Sequence, residues 1–162
     1  MLDTLVFTRH GGELMGTSDE TDILYVEDNL DHAELVLRCL ERFGVRDRVI
    51  HVEDGERALA VLEAVKANTA VRPRLILLDL RLPGVAGMEI LQLVKSTPEL
   101  RDIPVIILTT SASPRDMQDA YANYVNSYLV KPDDLPALSA LMTDLSTYWL
   151  GRNQTLASEH SL

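Results

Sequence analysis

Cysteine occurs once in this chain, basic residues are outnumbered by acidic ones, and no long apolar run is present; each shortage closes off a class of protein. Cys39 has no intrachain disulfide partner and lies in the apolar run from Leu35 to Phe43, so it reads as a core thiol in a reducing compartment. With 15 Lys and Arg against 25 Asp and Glu, the net charge is −10. That balance opposes the basic footprint that nucleic-acid binding needs. No stretch approaches the ~18 apolar residues of a membrane span, and the N-terminus has no apolar core behind a basic start. A cytoplasmic chain that binds neither nucleic acid nor membrane is expected. There is no GxxxxGK[ST] loop and no glycine-rich kinase loop. His10, His32, His51 and His160 are scattered without metal-ligand spacing and read as ordinary surface or loop residues.

What the chain does have is a series of short apolar runs, each ending in chemistry. Leu75 to Leu78 is too short for a helix and too continuous for a half-wet strand, so it reads as a central parallel strand covered on both faces. It delivers Asp79 to the rim where ligands bind in an open α/β sheet. Ile23 to Val26 lead into Glu27 and Asp28, Val105 to Leu108 into Thr109, and Tyr128 to Val130 into Lys131 and Pro132. Carboxylates from two strands, with no His or Cys beside them, form a hard oxygen cluster suited to an octahedral cation such as Mg²⁺ rather than zinc. A lysine and a threonine nearby suit a phosphoryl group.

Between these runs lie amphipathic segments, the pattern of repeated βα units. Helices are predicted over 31–43, 56–67, 87–95, 113–124 and 134–150, with a weaker strand at 48–52. Gly44 is the stop of the first helix, and Ser113 with Pro114 the start of the fourth. In the last helix Leu138, Leu141, Met142, Leu145 and Trp149 recur at helical spacing. One domain is expected over 22–150, with a flexible extension at 1–21 and a tail at 151–162, too little for a separate output module.

The segments YVEDN, LLDLRLPG, VIILTTS and YLVKP, in this order and separation, resemble the receiver domain of two-component response regulators. Three further stretches, EDNLDHAELVLR, STPELRDIPVIILTTS and YWL, resemble the single-domain regulators associated with phytochrome-type kinases. The resemblance implies a doubly wound (βα)5 flavodoxin-like fold with sheet order 2-1-3-4-5. It makes Asp79 the residue phosphorylated by a partner histidine kinase, with a phytochrome-type kinase favoured. Mg²⁺ would be held by Glu27, Asp28, Asp79 and the backbone carbonyl of Arg81, with Asp28 in direct contact. Crowded carboxylates repel one another unless a cation neutralises them, so metal dependence is expected. Lys131 would pair with the phosphoryl oxygens, and Pro132 resembles a cis proline that aims it inward. Thr109 and Tyr128 would form the switch, and Arg81 and Ser111 occupy the positions that tune phosphoryl lifetime. Arg81 would either shield the phosphoryl group from water or pair with it.

The resemblance also implies a homodimer through the fourth-helix to last-helix face, extended by Tyr148 and Trp149. Plainer readings stay open at this level: Asp28 and Asn29 as a helix cap, Lys131 as a loop lysine and Tyr128 as a core or edge aromatic. An aspartyl phosphatase would want a second acid two residues after the nucleophile, where Arg81 stands. The chain is thus expected to be no enzyme beyond Mg²⁺-dependent self-phosphorylation and autodephosphorylation of Asp79. A constitutive docking module or phosphate sink is the alternative.

Overall fold

A computed structural model describes residues 21 and 23–156; the predicted extension over 1–21, apart from Thr21, and the end of the predicted tail lie outside the described residues. The apolar runs form strands and the amphipathic segments between them form helices. In chain order these are β1 (Ile23–Val26), α1 (Leu30–Glu41), β2 (Val49–Val52), α2 (Gly55–Lys66), β3 (Leu75–Leu78), α3 (Gly87–Ser96), β4 (Val105–Thr109), α4 (Pro114–Ala122), β5 (Ser127–Val130) and α5 (Leu135–Ser146). All strand pairs are parallel and the order is β2-β1-β3-β4-β5, as expected.

The continuous apolar strands follow from burial on both faces. Leu24, Val26, Ile76, Leu78 and Ile107 pack under α2, α3 and α4, while Ile23, Tyr25, Leu75, Leu77, Ile106 and Leu108 pack under α1 and α5. Residues 75 to 78 are all fully buried, and each such side chain contributes about 1.5–3 kcal/mol relative to exposure. Cys39 sits in the second of these cores.

Local signals set the helix ends. Asn29, Asp54, Ser113 and Asp134 cap α1, α2, α4 and α5 by accepting from backbone N–H groups in the first turn. Past the end of α1, Gly44 takes φ +68°, a left-handed conformation that favours glycine. Phe43, the predicted last residue of the helix, thus falls beyond it and is 38% exposed. The predicted start of β2 at Arg48 is instead the end of a 3-10 turn over Arg46–Arg48.

The last helix departs from its predicted extent. It is α-helical to Ser146 and then widens into a π-turn over Thr147–Arg152, closed by the Asn153 N–H donating to Tyr148 O at 2.7 Å. The wider turn lets both Trp149 and Leu150 pack on the α1/α5 core and leaves Tyr148 half exposed, its ring edge-on to Trp149. The Lys131–Pro132 bond is trans, since none of the described peptide bonds is cis. Lys131 is aimed inward by other means: its N–H donates to Thr109 O at 2.7 Å, continuing the β4–β5 ladder past the strand end.

Candidate functional site

The ladder bonds that outlast β1, β3 and β5 fix the backbone of the charged residues. Glu27 donates to Val52 O and Asp79 to Val26 O, each at 3.1 Å. These bonds hold Glu27 and Asp79 on adjacent strands at one rim of the sheet, beside Lys131. On the far side, Gly87 opens α3 so close to the β3 exit that a Cβ there would lie 2.1 Å from Asp79 O and 2.8 Å from Leu80 Cα. Glycine is required by that approach.

Lys131 Nζ sits between the two buried carboxylates, donating to Asp79 Oδ2 at 2.9 Å and to Glu27 Oε2. The other oxygens are also used: Asp79 Oδ1 accepts from the Arg81 N–H at 3.1 Å, and Glu27 Oε1 from the Asn29 N–H at 3.1 Å. Glu27, Asp79 and Lys131 are 1%, 5% and 8% exposed, whereas Asp28 is exposed. Burial raises Glu27, the Lys131 hydrogen bond lowers it and the Asp79 charge raises it again, leaving the carboxyl at about 7. For Asp79 burial is again the largest influence and is upward. The Arg81 amide, Lys131 and Glu27 together outweigh it and hold the carboxyl below its ordinary value. Near neutral pH Asp79 is therefore an anion and Glu27 holds a proton part of the time.

Glu27, Asp28 and Asp79 each offer an oxygen, all within 4.8 Å of one another. Three hard donors without His or Cys fit a divalent cation of the Mg²⁺ or Mn²⁺ kind, and exposed Asp28 gives such an ion a path from solvent.

Thr109 is fully buried at the end of β4, its Oγ1 accepting from the Ser111 N–H at 3.3 Å. Tyr128 is buried, and its hydroxyl donates to Ser111 O at 2.9 Å. Ser111 Oγ donates to Asp116 Oδ2 at 2.5 Å, and Arg81 Nη2 donates to the same oxygen at 3.2 Å. Seven of the eight predicted site residues thus lie at one rim or on the loops leaving it, and Tyr128, inside β5, reaches the loop after β4 through its hydroxyl.

Two further residues join them that sequence reasoning did not mark. His32, read as an ordinary surface residue, lies in the first turn of α1 with Nδ1 3.5 Å from Lys131 Nζ. His51, on β2, has Nε2 2.9 Å from Glu27 O and its ring 5.4 Å from that of Tyr25. The only available signal for His32 was its place four residues after Asp28, in the first turn of the predicted helix.

The model of the response regulator receiver domain matches residues 23–143. The probable methanogenesis regulatory protein FilR2 of Methanothrix harundinacea is 43% identical over 89% of this chain and 93% of its own length. Response regulator Rcp1 of Synechocystis is 37% identical over 82% of this chain and 94% of its own; the structure of its Mn²⁺-bound form superposes with a TM-score of 0.76 at 34% identity, covering 85% of this chain and 99% of that one. The phosphorylated cyanobacterial phytochrome response regulator RcpA gives a TM-score of 0.79 at 35% identity, with the same coverage. No helix of the described residues is long and apolar enough to cross a membrane. Sheet order, acidic rim and relatives agree: the chain belongs to the response regulator receiver domain family, for which phosphorylation by a histidine kinase is in keeping.

Proposed function

We propose that the chain is a single-domain signalling switch, its receiver unit spanning 22–150, in which Asp79 takes a phosphoryl group from the phosphohistidine of a partner kinase. The observation that carries this reading is the buried Lys131 ammonium on Asp79 Oδ2, beside two further carboxylates. An Asp79 oxygen forms a bond to phosphorus as the donor's P–N bond breaks, and the imidazole nitrogen leaves with the electron pair and takes up a proton. Lys131 follows the phosphoryl oxygens as a point charge, and the Thr109 hydroxyl donates to one of them. Tyr128 feels the change through its bond to Ser111 O.

Glu27, Asp28, Asp79 and the Arg81 carbonyl would hold Mg²⁺. When bound, the ion neutralises charge on the crowded oxygens and on the incoming phosphoryl group. Self-phosphorylation from small donors and autodephosphorylation are the extent of its catalysis.

The readout surface in this reading is the side made by α4, the edge strand β5 and α5. Tyr121, Tyr124, Val130 and Leu135 are exposed there, an unusual apolar load for an edge that native proteins normally protect. A homodimer through this face accounts for them. Trp149 is committed to the core, so only Tyr148 remains to extend that contact. Sedimentation showing only monomer up to high concentration would remove the dimer.

The likeness to Rcp1 and RcpA favours a phytochrome-type kinase in the cytoplasm. The FilR2 relative, whose name concerns methanogenesis, keeps a kinase with another input as the second reading. A phosphotransfer panel of kinases of both kinds separates the two. The reading as a whole is tested by intact mass after incubation with Mg²⁺ and acetyl phosphate. One added phosphoryl group on the wild type and none on Asp79→Asn is expected. No adduct on either, with metal binding verified and donor turnover absent, would leave a constitutive docking module; donor turnover without an adduct would point to a phosphate sink.

A further inference from the structure

Asp116 has no part in the roles assigned above, yet three parts of the molecule meet at its carboxylate. Its Oδ2 accepts from Ser111 Oγ at 2.5 Å, on the loop after β4, and from Arg81 Nη2 at 3.2 Å, on the loop after β3. Its own N–H donates to the Ser113 cap at 3.4 Å, so the carboxylate is carried in the first turn of α4. The same Ser111 accepts the Tyr128 hydroxyl on its carbonyl. Arg81 and Asp116 are also the two charged side chains outside the carboxylate rim that bear on the Tyr128 hydroxyl.

Arg81 is divided between two ends of this arrangement. Its N–H is fastened to Asp79 Oδ1 at 3.1 Å, while its guanidinium reaches away to α4. An aspartyl phosphate would carry more charge than a carboxylate, about −1.5 to −2, and present oxygens suited to a planar guanidinium. The guanidinium then has two anionic partners to divide between: Asp116, which it holds, and a phosphoryl group on the carboxylate that its own backbone N–H meets.

We propose that Asp116 is a positioning residue that competes with the aspartyl phosphate for the Arg81 guanidinium and so sets how long the phosphoryl group survives. The proposal rests on Asp79 being the phosphoacceptor. In hydrolysis a water oxygen bonds to phosphorus, the bond from phosphorus to the Asp79 oxygen breaks, the carboxylate leaves with the pair as an anion, and inorganic phosphate carries both of the water's hydrogens, exchanging them with solvent. Arg81 on the phosphoryl oxygens narrows that water's approach. Arg81 on Asp116 leaves it open and keeps the entrance of α4 tied to the β3 exit. Loading of the site thereby reaches α4 through a change of partner by one side chain.

The test loads wild type, Asp116→Asn, Asp116→Glu, Arg81→Ala and the Asp116→Asn/Arg81→Ala double variant with acetyl phosphate and Mg²⁺, removes the donor, and follows loss of the adduct by intact mass. The pair is partly exposed, 70% for Arg81 and 29% for Asp116, so Asp116→Asn should slow the loss by about two- to five-fold, the range of an exposed ion pair. Asp116→Glu should restore the wild-type rate. Asp116→Asn should change nothing once Arg81 is alanine, and the single-variant effect should shrink at ~1 M salt. An unchanged lifetime in Asp116→Asn, or an equal change with and without Arg81, overturns the competition while leaving Asp79 as acceptor. Failure of the wild type to form any adduct overturns the acceptor reading and the competition together.

Discussion

Replacing Glu27 by glutamine should make the metal-free protein more stable at pH 8, although it removes a partner of the buried lysine. The Glu27 carboxyl is pushed from 4.5 up to about 7 in the folded protein, first by burial. Between those values the folded state keeps a proton that the unfolded chain has released, so stability falls as pH rises through that interval. At about 1.4 kcal/mol per pH unit the loss is roughly 3 kcal/mol, complete above the folded value. Asp79 works in a separate window: its carboxyl is lowered below 3.8, so its stabilisation is present above that value and fades as pH falls beneath it. Glutamine keeps an oxygen for Lys131 to donate to and cannot ionise. Urea unfolding of wild type and Glu27→Gln in EDTA, from pH 5 to 8, should give near-equal stabilities at the acid end and a variant ahead by roughly 3 kcal/mol at the alkaline end. Added Mg²⁺ should close much of that gap from the wild-type side, because a bound cation removes the repulsion. Parallel curves across the range would refute the reasoning, since the proton would then not reside on Glu27.

Asp28→Asn changes an exposed acid with no structural burden, so its unfolding midpoint should stay within about 0.5 kcal/mol of wild type while Mg²⁺ affinity, read by titration calorimetry, falls on the order of tenfold. Gly87→Ala places a Cβ against the Asp79 and Leu80 backbone, and should cost about 1–3 kcal/mol in denaturant unfolding and slow adduct formation, as overpacking shifts the acceptor. Tyr128→Phe deletes the hydrogen bond to Ser111 O; thermal unfolding should report a loss of about 0.5–1.5 kcal/mol, with adduct formation from acetyl phosphate close to wild type.

The parts of the structure legible in the sequence are those where one local pattern has one tertiary solution. Residues 75 to 78 could be apolar throughout only if both faces were covered, and that placed Asp79 at the rim before any side-chain contact was known. Ser113 and Pro114 likewise announced the start of α4. What escaped depends on approach through space. His32 meets Lys131 across 99 positions of chain, and Arg81 meets Asp116 across 35; neither separation has a periodic signature. The predicted end of α5 at 150 follows from Trp149 fitting an α-helical repeat, whereas the chain widens after Ser146 into a turn that packs Leu150, partly buried, beside Trp149 on the α1/α5 core. The resemblance implies a cis Pro132, whereas the bond is trans and the ladder bond from Lys131 to Thr109 holds the lysine without it.

That ladder bond belongs to a set with a bearing on dynamics. Glu27, Asp79 and Lys131 are all fastened by backbone bonds that prolong the sheet, to Val52, Val26 and Thr109. The Asp79 amide, between the central strands β3 and β1, should exchange with solvent deuterium as slowly as the middle of the sheet opens, and those of Glu27 and Lys131, in the ladders of the edge strands β2 and β5, somewhat sooner. The stretch from Thr110 to Ser113 lies outside any strand or helix and is held chiefly through side chains, so it should exchange orders of magnitude sooner. The acceptor aspartate would then sit in the last unit to melt and the reporting loop among the first, so the loop can be remodelled by mutation with the acceptor left in place.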